Sequence, residues 1–329
     1  MDVFKQPAQR KPRFFIIFAV GALVFLLYLA SQQSDGLAIQ RLPGGGVALR
    51  NEDLAIRLHM AEENFQRSLK KRKALIKQYG PTVDKVKAYP ENREYYTLWD
   101  FFTPSFQCPH AVERIGINAD GGKYVCGLHR IADKPDCVIY SFGINGESSF
   151  EAELLERTSG CQVWGYDFSV NSFGPEVDKN RKVAYRSHFK PYGLSGISNH
   201  GPGHQGPPMY TLPELMKMNG HEFIDILKID IEGSEFSTLT DLLKVYTGRP
   251  LPFGQLQIEI HAWMGDWQNK FPEFLKWWED LERAGLRAFW TEPNLVYLNI
   301  NRGYAPDLAE YSFINTLGHH SLVEDPIVI

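Results

Sequence analysis

Residues 223 to 236 read FIDILKIDIEGSEF, an apolar strand that ends on two carboxylates, Asp230 and Glu232. In a parallel α/β sheet the carboxyl ends of the strands open onto the ligand crevice, so acids placed there face substrate rather than core. The two carboxylates are therefore candidates for a site.

The surrounding pattern alternates. Strands are expected near 137–142, 161–166, 183–187, 225–230, 255–260, 286–291, 295–299 and 311–315, with helices near 148–157, 211–219, 235–246 and 268–284. Alternation predicts an α/β fold with a doubly wound, mostly parallel sheet. The helix-poor close predicts antiparallel strands at one end of it. With 329 residues, 43% of them apolar, there is ample material for a packed core. The formal net charge of -4 gives no footprint for a phosphate backbone, so nucleic acid is not expected as a partner.

Residues 14 to 30, FFIIFAVGALVFLLYLA, carry no charge and no amphipathic stripe. As a helix they would extend ~25 Å, slightly short of an average hydrocarbon core of ~30 Å, which suits a thin internal membrane. Lys5, Arg10, Lys11 and Arg13 precede the segment and the next basic residue is Arg41, so the positive-inside rule predicts a single-pass type II protein. Residues 1–13 would be a cytoplasmic tail, 14–30 the anchor, and the remainder lumenal, in the Golgi or endoplasmic reticulum. A cleaved signal peptide competes, but the run is long for one and Tyr28 spoils the cleavage pattern before Ala30.

Residues 31–94 read as linker and stem. Gly44 to Gly46 mark the flexible part, and Leu49 to Tyr79 a helix with Leu54, Leu58, Ala61, Phe65 and Leu69 on one stripe. The stripe suits either a homodimer or docking onto the globular domain, expected over 95–329. A lumenal location permits disulfides. Of the four cysteines, Cys108 and Cys126 flank loop-like sequence and are expected to bridge, while Cys137 and Cys161 open apolar runs and are expected to be plain buried thiols.

The strand CVIYSF runs into Gly143-Ile144-Asn145-Gly146 and then a helix, an arrangement that brings backbone N–H groups close to a ligand. The next strand ends at Asp167, 24 positions after Gly143, near the ~20 expected for an acid that hydrogen-bonds a ribose. A tight turn with no ligand and an ordinary surface acid are the plain alternatives.

With these features the chain resembles the FkbM-type S-adenosylmethionine-dependent methyltransferases, and within them the membrane-anchored methyltransferase-like protein 24 group. The resemblance covers about residues 95 to 317. It rests chiefly on Tyr210-Thr211-Leu212-Pro213-Glu214-Leu215 followed by Ile224 to Glu235, with support from Gln257 to His261 and from Glu292-Pro293-Asn294. It implies a class I methyltransferase (Rossmann-like) sheet of seven strands with an antiparallel end strand. It further implies that S-adenosylmethionine lies with its amino-acid end at Gly143 and Asn145, its ribose at Asp167 and its methyl group by Asp230. O-methylation of a hydroxyl on a glycan or small metabolite is the implied reaction. The family's first motif carries an acid where this chain has Ser141 and a glycine where it has Glu147. Ser141 is thus expected to bind the cofactor's amino group more weakly than a carboxylate does. That departure motivates one alternative, a tethered binding protein that has lost catalysis; a second, a nicotinamide-dependent oxidoreductase, follows from Asp167 suiting any adenosine ribose, with the absence of GxGxxG counting against it.

A hydroxyl acceptor benefits from a base as its proton leaves. His261 is the expected base, with Asp230 as alternative and Glu259 beside them, since positions 259 and 261 share a strand face. Glu232 and Trp263 are expected on the acceptor side. A satisfied Glu259–His261 pair and a Lys228–Asp230 ion pair are the structural alternatives. A divalent metal on these acids is possible but not favoured. The loop 198–208, SNHGPGHQGPP, resembles a binding loop, although His200 and His204 in it are expected to be exposed and without a role.

Overall fold

Ile224–Ile229 is buried at every position, its two charged residues Asp225 and Lys228 included, and lies in the middle of a seven-stranded sheet covered on both faces. The computed structural model describes residues 40–41, 47–48, 51–90, 94–262 and 270–325. In the N-terminal unit, which ends at Arg50, Gln40–Arg41 pairs antiparallel with Val47–Ala48. The expected anchor at 14–30 and the triglycine lie outside the described residues. Among the described residues no helix is long and apolar enough to cross a membrane.

From Asn51 onward the elements are α1 (Asn51–Tyr79), the hairpin β1 (Val112–Ile115) and β2 (Lys123–Cys126), β3 (Val138–Phe142), α2 (Ser149–Arg157), β4 (Gln162–Tyr166), α3 (Pro175–Asp178) and β5 (Ser187–Lys190). A short parallel pair follows, β6 (Gly193–Leu194) and β7 (Met209–Tyr210), then α4 (Leu212–Asn219), β8 (Ile224–Ile229), α5 (Glu235–Val245) and β9 (Phe253–His261). The chain closes with α6 (Phe271–Arg283), β10 (Leu286–Pro293), α7 (Leu295–Ile300) and β11 (Leu308–Asn315).

The sheet runs β10-β11-β9-β8-β3-β4-β5, parallel throughout except for β11, which is antiparallel to both its neighbours. Numbered by strand within the sheet, this is the order 3-2-1-4-5-7-6, the class I methyltransferase arrangement that the resemblance implies. Tyr140 and Phe142 point into one core with α4, α5 and α6, and Ile139 points into the other with α2. Both faces of the sheet are therefore covered, as a doubly wound fold demands.

Three expectations need correction. Residues 295–299 are not a strand: the Asn294 side chain accepts the Tyr297 N–H at 2.8 Å and caps the short helix α7, overriding the strand preference of Val296 and Tyr297. The strand expected at 183–187 begins only at Ser187, because Arg186 turns back to donate to the carbonyls of Leu155, Thr158 and Cys161. Finally, Cys137 and Cys161 are not thiols but a disulfide. They lead into adjacent parallel strands in register, with Cα atoms 4.3 Å apart. Cys108 and Cys126 are bridged as expected.

The hairpin β1–β2 was not legible as strands. It lies against β9, where the Gln255 side chain exchanges two hydrogen bonds of 3.0 Å with the backbone of Cys126 and Gln257 donates to Tyr124 O at 3.2 Å. Helix α1 docks by its expected stripe: Ala61 and Phe65 are buried against Phe106, Phe289 and Ile314. Arg72 fixes its far half, bonding Glu282 with both terminal nitrogens at 2.9 and 2.6 Å and donating to Phe101 O at 2.7 Å. Trp277 and Trp278 of α6 are buried in the core.

Candidate active site

A cavity of about 680 Å³ opens at the carboxyl ends of β3, β4, β8 and β9, where the strand order reverses between β3 and β8. Its wall brings together Gly143, Asn145, Asp167, Asp230, Glu232 and Glu259, all singled out from the sequence. Its volume falls in the ~300–1,000 Å³ usual for cofactor and small-molecule sites.

The glycine bend is dictated by close approach. Gly143 sits at φ +81, and a Cβ there would run into the backbone carbonyl of Asp230. Only glycine lets the ends of β3 and β8 stay this near. Among the described residues only two non-glycine residues have positive φ, Asn145 at +45 and Glu232 at +53. Both line the cavity, and side-chain-bearing residues in this region store ~1–3 kcal/mol of strain each, a cost that clusters at functional sites.

Asp167 stands in the wall but is heavily engaged. One oxygen accepts the backbone N–H groups of Ile144 (2.9 Å) and Asn145 (2.8 Å), and the other accepts the N–H and hydroxyl of Ser169, both at 2.7 Å. Burial pushes its carboxyl up, yet these bonds outweigh burial and hold it below the ordinary aspartate value. It thus braces the glycine bend, and a ribose would compete with Ser169 for it.

Ser141 does not reach the cavity. It is fully buried and donates to Glu151 of α2, so the expected contact with the cofactor's amino group is corrected. Lys228 lines the cavity and donates to Gly143 O at 2.5 Å. The lysine ion-paired with Asp230 is therefore not Lys228 but Lys123, at 3.8 Å. Lys123 is 2% exposed and also pairs with Glu310.

The acids at the floor divide their protons. Burial alone would raise Asp230, but the positive charges of Lys123, Lys228 and His261 prevail and keep it below the ordinary value. Burial raises Glu259, and the charges of Asp230 and Glu310 lift it further, to about 9. At neutral pH Asp230 is thus the ionised member and Glu259 the protonated one. Asn294 Nδ2 donates to Glu259 Oε1 at 2.7 Å, linking the cap of α7 to the site.

His261 is not in the cavity wall. It is 1% exposed, with Nδ1 bonded to Glu235 at 2.9 Å, and it stands behind Glu259 and Glu232. Burial would lower its pKa, but the bond to Glu235 and the charges of Glu235, Glu259 and Asp230 raise it to about 9. An imidazole that is protonated at neutral pH and that meets the cavity only from behind its lining residues Glu259 and Glu232 is not placed as the acceptor's base, so that expectation is corrected. Asp230, Glu259 and His261 converge closely enough to bracket a divalent cation, as do Asp120, Glu259 and Glu310. The ammonium of Lys123 already supplies positive charge at this spot, and no metal role is assigned.

Trp263 lies outside the described residues. His200 stacks on Tyr210 and meets Glu214 at 2.9 Å, and neither it nor His204 lines the cavity. Three contributors were missed from sequence. Glu235 and Asn294 sat inside the quoted motifs without a role, and Lys123 lay in the unrecognised hairpin with no signal to mark it.

Comparison with known proteins agrees with this geometry. A family profile described as a methyltransferase domain matches residues 58–314. Methyltransferase-like protein 24 of Rattus norvegicus is 27% identical over 201 residues, covering 57% of this chain and 53% of that protein. Its Homo sapiens counterpart is 27% identical over 204 residues, covering 57% and 52%. The chain spans about half the length of the curated relatives it matches. Among solved structures, a METTL16 methyltransferase domain aligns with TM-score 0.34 at 12% identity over 89% of this chain and 92% of that one. The Methanococcus jannaschii fibrillarin pre-rRNA processing protein aligns with TM-score 0.34 at 13% identity over 63% and 71%. Likenesses this distant add nothing to the strand order, which carries the fold assignment. With the profile matched from the docked helix α1 to the final strand, the chain belongs to this methyltransferase-domain family.

Proposed function

We propose that the chain is an S-adenosylmethionine-dependent methyltransferase of FkbM-like type that methylates a hydroxyl on a glycan or small metabolite. The carrying observation is the single cavity shared by Gly143, Asp167 and Asp230 at the strand-order reversal. The cofactor supplies a methyl group already activated on a sulfonium. Gly143 and Asn145 bind its amino-acid end, Asp167 holds its ribose in exchange for a bond from Ser169, and the charge of Asp230 faces the acceptor. Asp230 takes the acceptor's proton, and Glu232 contributes to the acceptor side.

An open cleft favours this reading over a tethered protein that has lost its cofactor. The antiparallel β11 and the absence of GxGxxG favour it over a nicotinamide enzyme. The two disulfides support an oxidising compartment. With the basic-flanked apolar segment at 14–30, they favour a lumenal domain on a type II anchor in the Golgi or endoplasmic reticulum. Titration calorimetry of the folded protein with S-adenosylmethionine tests the cofactor claim: saturable binding is expected, and no heat at millimolar ligand overturns it. Labelled cofactor incubated with fractionated secretory extract then identifies the acceptor.

A further inference from the structure

Glu235, the first residue of α5, is fully buried, and its carboxylate ties two active-site loops together. One oxygen accepts both the backbone N–H of His261 at 2.8 Å and its Nδ1–H at 2.9 Å. The other accepts the backbone N–H of Gly233 at 2.8 Å. The loop after β8, which bears Asp230 and Glu232, is thereby fastened to the end of β9, which bears Glu259 and His261.

With Nδ1 committed to Glu235, Nε2 lies between two further carboxyl groups, 3.4 Å from Glu232 Oε2 and 3.7 Å from Glu259 Oε2. These two differ in surroundings. Glu259 is buried and hydrogen-bonded to Asp230, whereas the Glu232 side chain is 76% exposed. One nitrogen therefore touches both the cavity floor and a group in water.

We infer that Glu235 is a positioning residue that holds His261 as the outlet for the acceptor's proton, linking the Asp230–Glu259 pair to Glu232 and solvent. The inference rests on the methyltransferase reading above. Transfer to a hydroxyl forms an O–C bond, breaks the cofactor's S–C bond with its electron pair left on sulfur, and frees the hydroxyl proton. The imidazolium first releases its Nε2 proton to Glu232, from which water removes it, and the freed Nε2 lone pair then takes the proton of Glu259 as Asp230 passes the acceptor's proton on to Glu259, so the imidazolium is restored and no oxidant or further reactant is required.

Among the described residues, the groups facing the imidazole include Glu235 from α5, Glu232 and Asp230 from the loop after β8, and Glu259 from its own strand, with Lys123 and Lys228 among the positive charges acting on Asp230. This surplus of acid explains why His261 and Glu259 both hold protons to about pH 9. Exposed Glu232 adopts its strained backbone at the outlet, where a side chain must turn back toward a buried ring.

The test is nitrogen NMR of the full chain labelled at histidine, with His261→Asn assigning the signal. The inference expects Nδ1 to stay protonated throughout and Nε2–H to exchange with water. In Glu232→Ala, whose exposed site spares the fold, that exchange slows by about a hundredfold, the low end of an acid–base contribution. In Glu235→Gln, which keeps an acceptor but removes the charge, Nε2 loses its proton at lower pH. A wild-type Nδ1 without a proton, or an Nε2–H exchange rate indifferent to Glu232→Ala, overturns the inference. S-adenosylmethionine titrated into the same sample separates the two claims. Failure to bind overturns the methyltransferase reading and the outlet's role with it, while the ring signals still report on the clamp itself.

Discussion

At the residue scale, the site is defined by what cannot be substituted. Gly143→Ala forces a side chain into the Asp230 carbonyl at a backbone angle that costs ~1–3 kcal/mol, so cofactor affinity should fall by roughly tenfold or more. Calorimetry beside a thermal melt separates lost binding from lost fold. The raised pKa values make a second prediction, with a definite sign. His261 titrates at about 9 in the folded protein against an ordinary 6.5, so its stabilisation is complete below pH 6.5 and disappears as pH rises through 9. Glu259, raised from 4.5 to about 9, acts in the same direction. The melting temperature should therefore drop by a few degrees between neutral pH and pH 9 or above, and His261→Gln should flatten that slope. An equal slope in the variant would show that other groups set it.

At the element scale, the sequence spoke clearly wherever one strand's own residues decided its fate. The central strands β3, β4 and β8 are mostly apolar and β9 alternates apolar with polar residues, and each was found within two residues of its place. β1 and β2 were missed because VERI and KYVC are short and half polar, and their footing on the sheet is made by the side chains of Gln255 and Gln257. That hairpin also delivers Lys123, so the missed element hid a site residue. Gly143, Asp167 and Asp230 were legible from strand-end spacing, but the burial that silences Ser141 and moves His261 out of reach depends on neighbours far away in sequence. The same logic applies to Cys137 and Cys161, whose pairing follows from two strands lying in register. Replacing both with serine should cost about 3.5 kcal/mol in urea unfolding, the chain-entropy value for closing a loop of this length. Cofactor affinity should hold, since the bridge precedes the strands and the cavity lies at their far ends.

At the scale of the whole molecule, α1 is a structural part of the domain. Its Ala61 and Phe65 complete a buried cluster, and Arg72 forms a two-pronged pair with Glu282 at 7% and 10% exposure. Removing one partner of such a pair typically costs ~3–5 kcal/mol, because the other charge is left buried alone. A fragment beginning at residue 95 should therefore express as aggregate, whereas one beginning at residue 51 should stay monodisperse in size-exclusion chromatography. Soluble, cofactor-binding protein from the shorter fragment would show that the helix is dispensable. The covalent link between the roots of β3 and β4 also has a mechanical consequence. With their starting points riveted, these strands can splay only as a pair of blades pivoting about that rivet, so traffic into and out of the cleft falls to the loops at its rim and not to the floor.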